Sequence, residues 1–389
     1  MVFVPPASNT HGPVSRHGAT STSGQAPTSA AGKILGDLLS NINSGNISAY
    51  SNIMVALMDS AQMNGTDASD IILALAHAKI SAGAGDDIIE AGDYAEVDGG
   101  DGNDSIGVRN YGNVRGGSGS DNLGAYYHAT VSGGDGDDVI GTYSYATIYG
   151  DDGNDTINTY SYSNVHAGAG DDWFYGYDHT TLDAGDGNDW VHAYDYATID
   201  GGGGNDEIVA LGHSTVSGGA GDDVIVLSAR ASVDGAAYGY DVADGGDGND
   251  FIQTGAYATV SGGAGDDTLR LTGKGSTVNF SKGDGQDTIL SRNNFTINVG
   301  GYSKDDVVID DRGNTMVISF KGSEDSLTLD MSKSMKVQLA FDDKTTLDLS
   351  ATSKSWGRPM LSAIVNTAGH GDVFWADLGI EDERYSIQP

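Results

Sequence analysis

Gly99-Gly100-Asp101-Gly102-Asn103-Asp104, Gly116-Gly117-Ser118-Gly119-Ser120-Asp121 and Gly133-Gly134-Asp135-Gly136-Asp137-Asp138 are successive copies of one loop, each seventeen residues after the last. Outward from these, the closing aspartate recurs at Asp87, Asp104, Asp121, Asp138, Asp155, Asp172, Asp189, Asp206 and Asp223. After a ten-residue insertion, placed at about residues 235–244, the series resumes at Asp250 and Asp267 and ends at Asp287 after a step of twenty. A fixed period of this kind means a solenoid, each repeat forming one coil on its neighbours. Asn64 to Asp70 keeps the spacing but few of the glycines, as a degenerate end coil would.

Alternation between the loops assigns the faces. Two residues after the aspartate stand Ile89, Ile106, Leu123, Ile140, Ile157, Phe174, Val191, Ile208, Ile225, Ile252 and Leu269. Ten residues after it stand Ile80, Val97, Val114, Val131, Ile148, Val165, Leu182, Ile199, Val216, Val233 and Val260. Both columns point inward from short strands, and the positions four and eight residues after the aspartate are mostly small. Two closely packed parallel sheets follow.

The loop chemistry is that of a hard cation. Glycines let the backbone curl and expose carbonyls, and the aspartate adds a carboxylate oxygen. The expected calcium ligands are the aspartates from Asp87 to Asp287 named above. With them go the carbonyls of Gly85, Gly99, Gly102, Gly116, Gly119, Gly133, Gly136, Gly153, Gly170, Gly187, Gly204, Gly221, Gly248 and Gly265. Each ion would lie between consecutive loops and share the aspartates above and below, giving about ten Ca2+ ions. Without calcium, aspartates one strand apart repel by about 1 kcal/mol in water and by roughly 3 to 4 at an effective dielectric near 20. Two large apolar side chains per coil offset little of that, so the expectation is a chain that folds on binding calcium.

Composition agrees. The 389 residues include 59 glycines, no cysteine and a formal net charge of -36. Residues 81–267 hold 34 acidic side chains against Arg109, Arg115 and Arg230, which argues against nucleic acid as a partner. Disulfides and thiolate metal sites are excluded, and no apolar run is long enough for a membrane span.

The flanks read differently. Residues 1–32, rich in Ser, Thr, Pro and Gly, read as disordered and lack the apolar core of a secretory signal. Residues 33–63 read as a helical cap, with apolar residues at helical spacing over 33–43 and 47–61. The β-roll is assigned to 64–290, a C-terminal β cap to 291–349, and a tail that serves as an export signal to 350–389. The fold class expected is all-β, a right-handed parallel β-roll or β-solenoid.

Gly99 to Asp104, Gly133 to Asp138 and Gly245 to Asp250 resemble the repeat of the RTX, or haemolysin-type, calcium-binding family. Gly283-Asp284-Gly285-Gln286-Asp287-Thr288-Ile289 resembles the segment that closes such arrays. The resemblance implies a calcium-loaded β-roll, secretion from a bacterial cell through a type I exporter reading an uncleaved C-terminal signal, and folding outside. Typical members run nonapeptides back to back with calcium along both edges; here one loop per coil places calcium on one edge. The acid-free N-terminus leaves type III secretion as an alternative.

Seven residues after each aspartate come His77, Tyr94, Tyr111, His128, Tyr145, Tyr162, His179, Tyr196, His213, Arg230 and Tyr257; five after, Tyr126, Tyr143, Tyr160, Tyr177 and Tyr194. Their stacking supports neighbouring coils; alternatively the exposed tyrosines, with Tyr145, Tyr162 and Tyr196 foremost, form a surface for extracellular polysaccharide or a host cell. Thr130, Thr147, Thr181, Thr198, Thr215 and Thr259 raise ice binding as another reading. No nucleophile elbow or His-Glu-x-x-His motif is present, so a non-enzymatic matrix or adhesion role is favoured over a polysaccharide-active enzyme.

Overall fold

The computed structural model describes residues 52–228, 240–330 and 335–350. Every coil contributes one strand to each of two sheets, which hold 17 and 16 strands among the described residues. The first sheet carries the strand after each loop aspartate, as in Val139–Thr142 against Thr156–Thr159 with Val139 opposite Thr156. The second carries the strand that leads into the next loop, as in Thr130–Asp135 against Thr147–Asp152 with Val131 opposite Ile148. Consecutive coils pair in parallel and without slip, so each sequence column becomes a physical column.

The two apolar columns form the core. Ile89, Leu123, Ile140 and Ile157 from the first sheet, and Val131, Ile148, Val165 and Val260 from the second, are wholly buried. The interior is thin enough that volume is traded within a coil. An ideal Cβ on Gly176 would meet the Phe174 ring at 2.5 Å, so the largest core residue of the first column occupies the space a side chain at 176 would use.

Two expectations are corrected. Residues 52–63, placed in a helical cap, hold strands joined by a turn: Asn52–Ala56 pairs in parallel with Asp70–Ala74, and Gln62–Asn64 with the strand at Lys79. The edge of the stack presents unpaired backbone, and that template, together with β-branched Ile53 and Val55, overrides the helical spacing. Residues 1–51, including the expected disordered segment and first helix, lie outside the described residues. Secondly, the insertion sits one strand earlier than expected. Thr215 pairs with Val242 and Val216 with Ala243, so the extra residues fall between Ser228 and Val242, on the edge opposite the loops. Ala243, not Val233, takes the inward position, and Tyr240, not Arg230, joins the ring column. Residues 229–239 lie outside the described set.

The C-terminal β cap is present. The last coil, Ser326–Asp330 and Lys336–Phe341, adds in parallel to the stack, and antiparallel strands then cover it: Thr315–Phe320 on one sheet and Thr346–Ser350 on the other. In this coil Leu327 stands opposite Asp287, so an apolar side chain ends the aspartate column. The tail from 351 lies outside the described residues.

Candidate metal edge

The loop edge is built by glycine at three of six positions. Gly100 and Gly102 have φ of +110° and +126°, and an added Cβ would lie 2.0 Å from the Gly83 carbonyl oxygen and 2.4 Å from that of Gly85, one coil back. Glycine suits this close stacking of carbonyls, and Asp151, a non-glycine in the same column, takes the same register with φ 78°. The first glycine approaches a different pair: a Cβ on Gly99 would lie 2.2 Å from Asp104 Oδ2 and 2.5 Å from the Gly116 carbonyl oxygen of the next coil. Gly116, Gly133, Gly218 and Gly245 repeat this arrangement. Carboxylate and carbonyl oxygens from two coils thus converge where a side chain is missing.

The aspartates are buried, although exposed loops were expected. Oδ1 of each accepts the backbone N–H of the aspartate one coil earlier, at 2.6 to 3.1 Å, from Asp70 N to Asp87 through Asp267 N to Asp287. Oδ2 has no hydrogen-bond partner in Asp87, Asp104, Asp121, Asp138, Asp155, Asp172, Asp189, Asp206, Asp223, Asp250 and Asp267. Burial pushes these carboxyls up, to about 7 in Asp121, Asp138 and Asp172 and to about 8 in Asp287; the backbone hydrogen bond opposes the shift, and neighbouring aspartates add to it. A buried column of unpartnered carboxylate oxygens is costly unless a cation meets it.

The residues therefore fit calcium. Among the described residues no three His, Cys, Asp or Glu side chains converge on one point. An ion here would be held by Oδ2 with backbone carbonyls, a donor set of hard oxygens that suits calcium and not zinc. Oδ1 of each aspartate already accepts a backbone N–H, so Oδ2 is the oxygen left without a protein partner. Asp70 departs altogether: its Oδ2 accepts the Thr66 N–H at 2.7 Å and its Oδ1 the Asn52 amide at 2.9 Å. The degenerate loop satisfies itself.

Sequence reading missed a second ladder. The residue before each aspartate also reaches across coils, but in the opposite sense: Asp86 Oδ1 accepts the N–H of Asn103, and Asn103 Oδ1 that of Ser120, a pattern that continues to Gln286. Its signal was the restriction of that column to Asp, Asn and Ser, residues whose short side chains bond nearby backbone.

On the other edge, two aromatic ladders run along the turn. His77, Tyr94, Tyr111, His128, Tyr145, Tyr162, His179, Tyr196, His213, Tyr240 and Tyr257 follow one another with centroids 4.6 to 6.1 Å apart. Tyr126, Tyr143, Tyr160, Tyr177 and Tyr194 form the second, at 4.7 to 5.1 Å and within 11° of parallel. Each ring covers its neighbour's face, so the ladders show solvent their edges and hydroxyls, with Tyr145 and Tyr162 about half exposed. The first ladder also occupies left-handed backbone, as at Tyr145 with φ 64° and Tyr162 with φ 61°. That conformation costs a bulky residue about 1 to 2 kcal/mol, which ring stacking of about 0.5 to 1.5 kcal/mol per pair offsets.

A scan against protein families matches the model described as RTX calcium-binding nonapeptide repeat (4 copies), over residues 79–93, 147–161, 164–191, 177–195, 237–256 and 259–271. No curated protein matches the chain. Among solved structures, a hyperactive, Ca2+-dependent, β-helical antifreeze protein from an Antarctic bacterium aligns at 19% identity and TM-score 0.36, covering 67% of this chain and 87% of that one. The extracellular lipase LipA from Serratia marcescens aligns at 18% identity and TM-score 0.24, over 52% of this chain and 38% of the lipase. No helix among the described residues is long and apolar enough to cross a membrane.

Proposed function

We propose that the chain, which matches the RTX calcium-binding repeat and carries one loop per seventeen-residue coil, is a secreted bacterial rod whose folding calcium switches on outside the producing cell. The observation that carries the reading is the column of buried Oδ2 atoms with no partner, from Asp87 to Asp267. At low calcium these carboxylates repel one another and cannot be hydrated, so the chain stays unfolded and fit for export through a type I or type III machinery. At extracellular calcium roughly ten ions would neutralise the edge and lock the coils together.

The folded rod serves a structural, matrix or adhesion role without catalysis. Its contact with extracellular polysaccharide or a host surface would run through the rims of the ladders, where the tyrosine edges offer phenol hydroxyls to polyhydroxylated partners. The test is calcium titration of the full chain by calorimetry and circular dichroism, followed by a glycan array in calcium. An unchanged β signal in EGTA would refute calcium-dependent folding. A calcium-loaded rod that binds no glycan or cell surface would refute the adhesion role alone.

A further inference from the structure

The two ends of the stack are finished differently. At the C-terminal end the antiparallel strands Thr315–Phe320 and Thr346–Ser350 close the core, and Leu327, Leu329 and Leu339, inward in the last coil, are wholly buried. The first coil has no such cover among the described residues. Met54 stands in register with Ile72 and Met63 with Ile80, so both continue the inward columns, yet each is only half-buried where Ile72 and Ile80 are buried. Beside them Leu57 and Met58 are 71% and 74% exposed. Asn52–Ala56 and Gln62–Asn64 pair with the second coil alone, which leaves two strand edges next to an open core.

The chain that leads into this end suits it. Residues 33–43 carry Leu35, Leu38, Leu39 and Ile42 at i, i+3, i+4 and i+7, the spacing of one helical face, with Lys33 and Asp37 as their only charges. Eleven helical residues span about 16 Å, enough to lie across two sheets packed about 10 Å apart. The eight residues 44–51 that follow reach up to about 26 Å, so they can carry that face over Met54 and Met63. Another exposed apolar pair, Val308 and Ile309, stands beyond the far end of the stack, more than ten strand spacings of about 4.8 Å away and out of reach. A tethered segment also meets the edge at an effective concentration of about millimolar, against which a second rod must compete by diffusion.

We propose that residues 33–43, which lie outside the described residues, dock as a helix over Met54 and Met63 and close the N-terminal end of the rod. The two ends are then sealed by different means: a β cap behind the last coil and a helical lid before the first. The lid acts on the folded rod and is independent of any glycan contact.

The test uses the calcium-saturated full chain, which has no cysteine of its own, with Met63→Cys as the reporter and Thr130→Cys, exposed on a coil far from either end, as the reference. Alkylation by iodoacetamide is expected to be several-fold slower at 63 than at 130, and to accelerate at 63 alone when Leu38→Asp and Leu39→Asp are added. Equal rates at the two positions overturn the proposal whatever the variants do, as does slow reaction at 63 that the aspartates leave unchanged. Slow reaction that gives way on dilution, with a dimer in sedimentation, overturns it in favour of a second copy on the open edge. Circular dichroism in calcium reports whether the aspartate variant has folded, and Leu38→Ser with Leu39→Ser replaces it if it has not.

Discussion

Asp104 Oδ1 accepts the backbone N–H of Asp87 across 2.8 Å, while Asp104 Oδ2, in the same carboxylate, has no partner at all. One oxygen belongs to the fold and the other is left for the proposed ion. The division repeats from coil to coil, and it separates two roles that mutation usually removes together.

Asp172→Asn should therefore differ from Asp172→Ala. The amide oxygen retains the hydrogen bond from Asp155 N, at 2.7 Å in the parent, but the ligand oxygen is lost. The asparagine variant is expected to bind about one ion fewer with the β signal intact in excess calcium. The alanine variant also leaves the Asp155 N–H buried and unpaired, and should lose a further 1 to 3 kcal/mol or so. Calorimetric stoichiometry and thermal unfolding in calcium separate the two; identical behaviour would contradict the division of roles.

Acid should partly replace calcium. The carboxyls of Asp121, Asp138 and Asp172 sit near 7 in the folded state and at the ordinary value of 3.8 when unfolded, so the folded state binds protons more tightly. For such groups stability rises as pH falls from about 7 towards about 4 and is lost as pH rises through the folded value. EGTA-treated protein should show little β signal at pH 7.5 and more at pH 5. A flat response to pH would contradict the burial of these groups.

Along the opposite edge, Tyr145→Ala removes two stacking contacts, with His128 at 4.9 Å and Tyr162 at 5.2 Å, yet keeps the strained φ of 64°. A loss of about 1 to 3 kcal/mol is expected. Tyr145→Gly loses the same contacts but relieves the strain, so the order of thermal midpoints should be parent, glycine, alanine. An alanine variant more stable than the glycine one would refute strain at this position.

The thin interior predicts a compensating pair. Gly176→Ala forces a methyl into the Phe174 ring and should cost about 1 to 3 kcal/mol. Phe174→Ile, which restores the commonest residue of that column, should recover most of the loss in the double variant. Additive losses in thermal unfolding would show that the two positions do not share space.

Much of this was legible in the sequence because the period fixes it. A strand of known face and a loop of known length leave one register, and Ile89, Ile140 and Ile208 fall inward without ambiguity. Legibility failed where the period offers two answers. Val233-Asp234-Gly235 and Ala243-Asp244-Gly245 are near copies ten residues apart, and only the pairing of Val216 with Ala243 chooses between them. It failed again at Asn52, where an intact coil lacks both the glycines and the aspartate. Spacing placed the loop aspartates in one column, but not the hydrogen bond at Oδ1, because that bond joins residues of adjacent coils and depends on depth.

The two backbone ladders of the loop edge run against each other, with Asp104 reaching back to Asp87 and Asn103 receiving none of that load but serving Ser120 ahead. Neither end of the array is therefore equivalent to the other. Each coil meets the one before through its aspartate and the one after through the residue beside it. Length then becomes a free variable, since removal of one seventeen-residue unit leaves both ends and every junction as they were. The chain is a ruler whose graduations are aspartates.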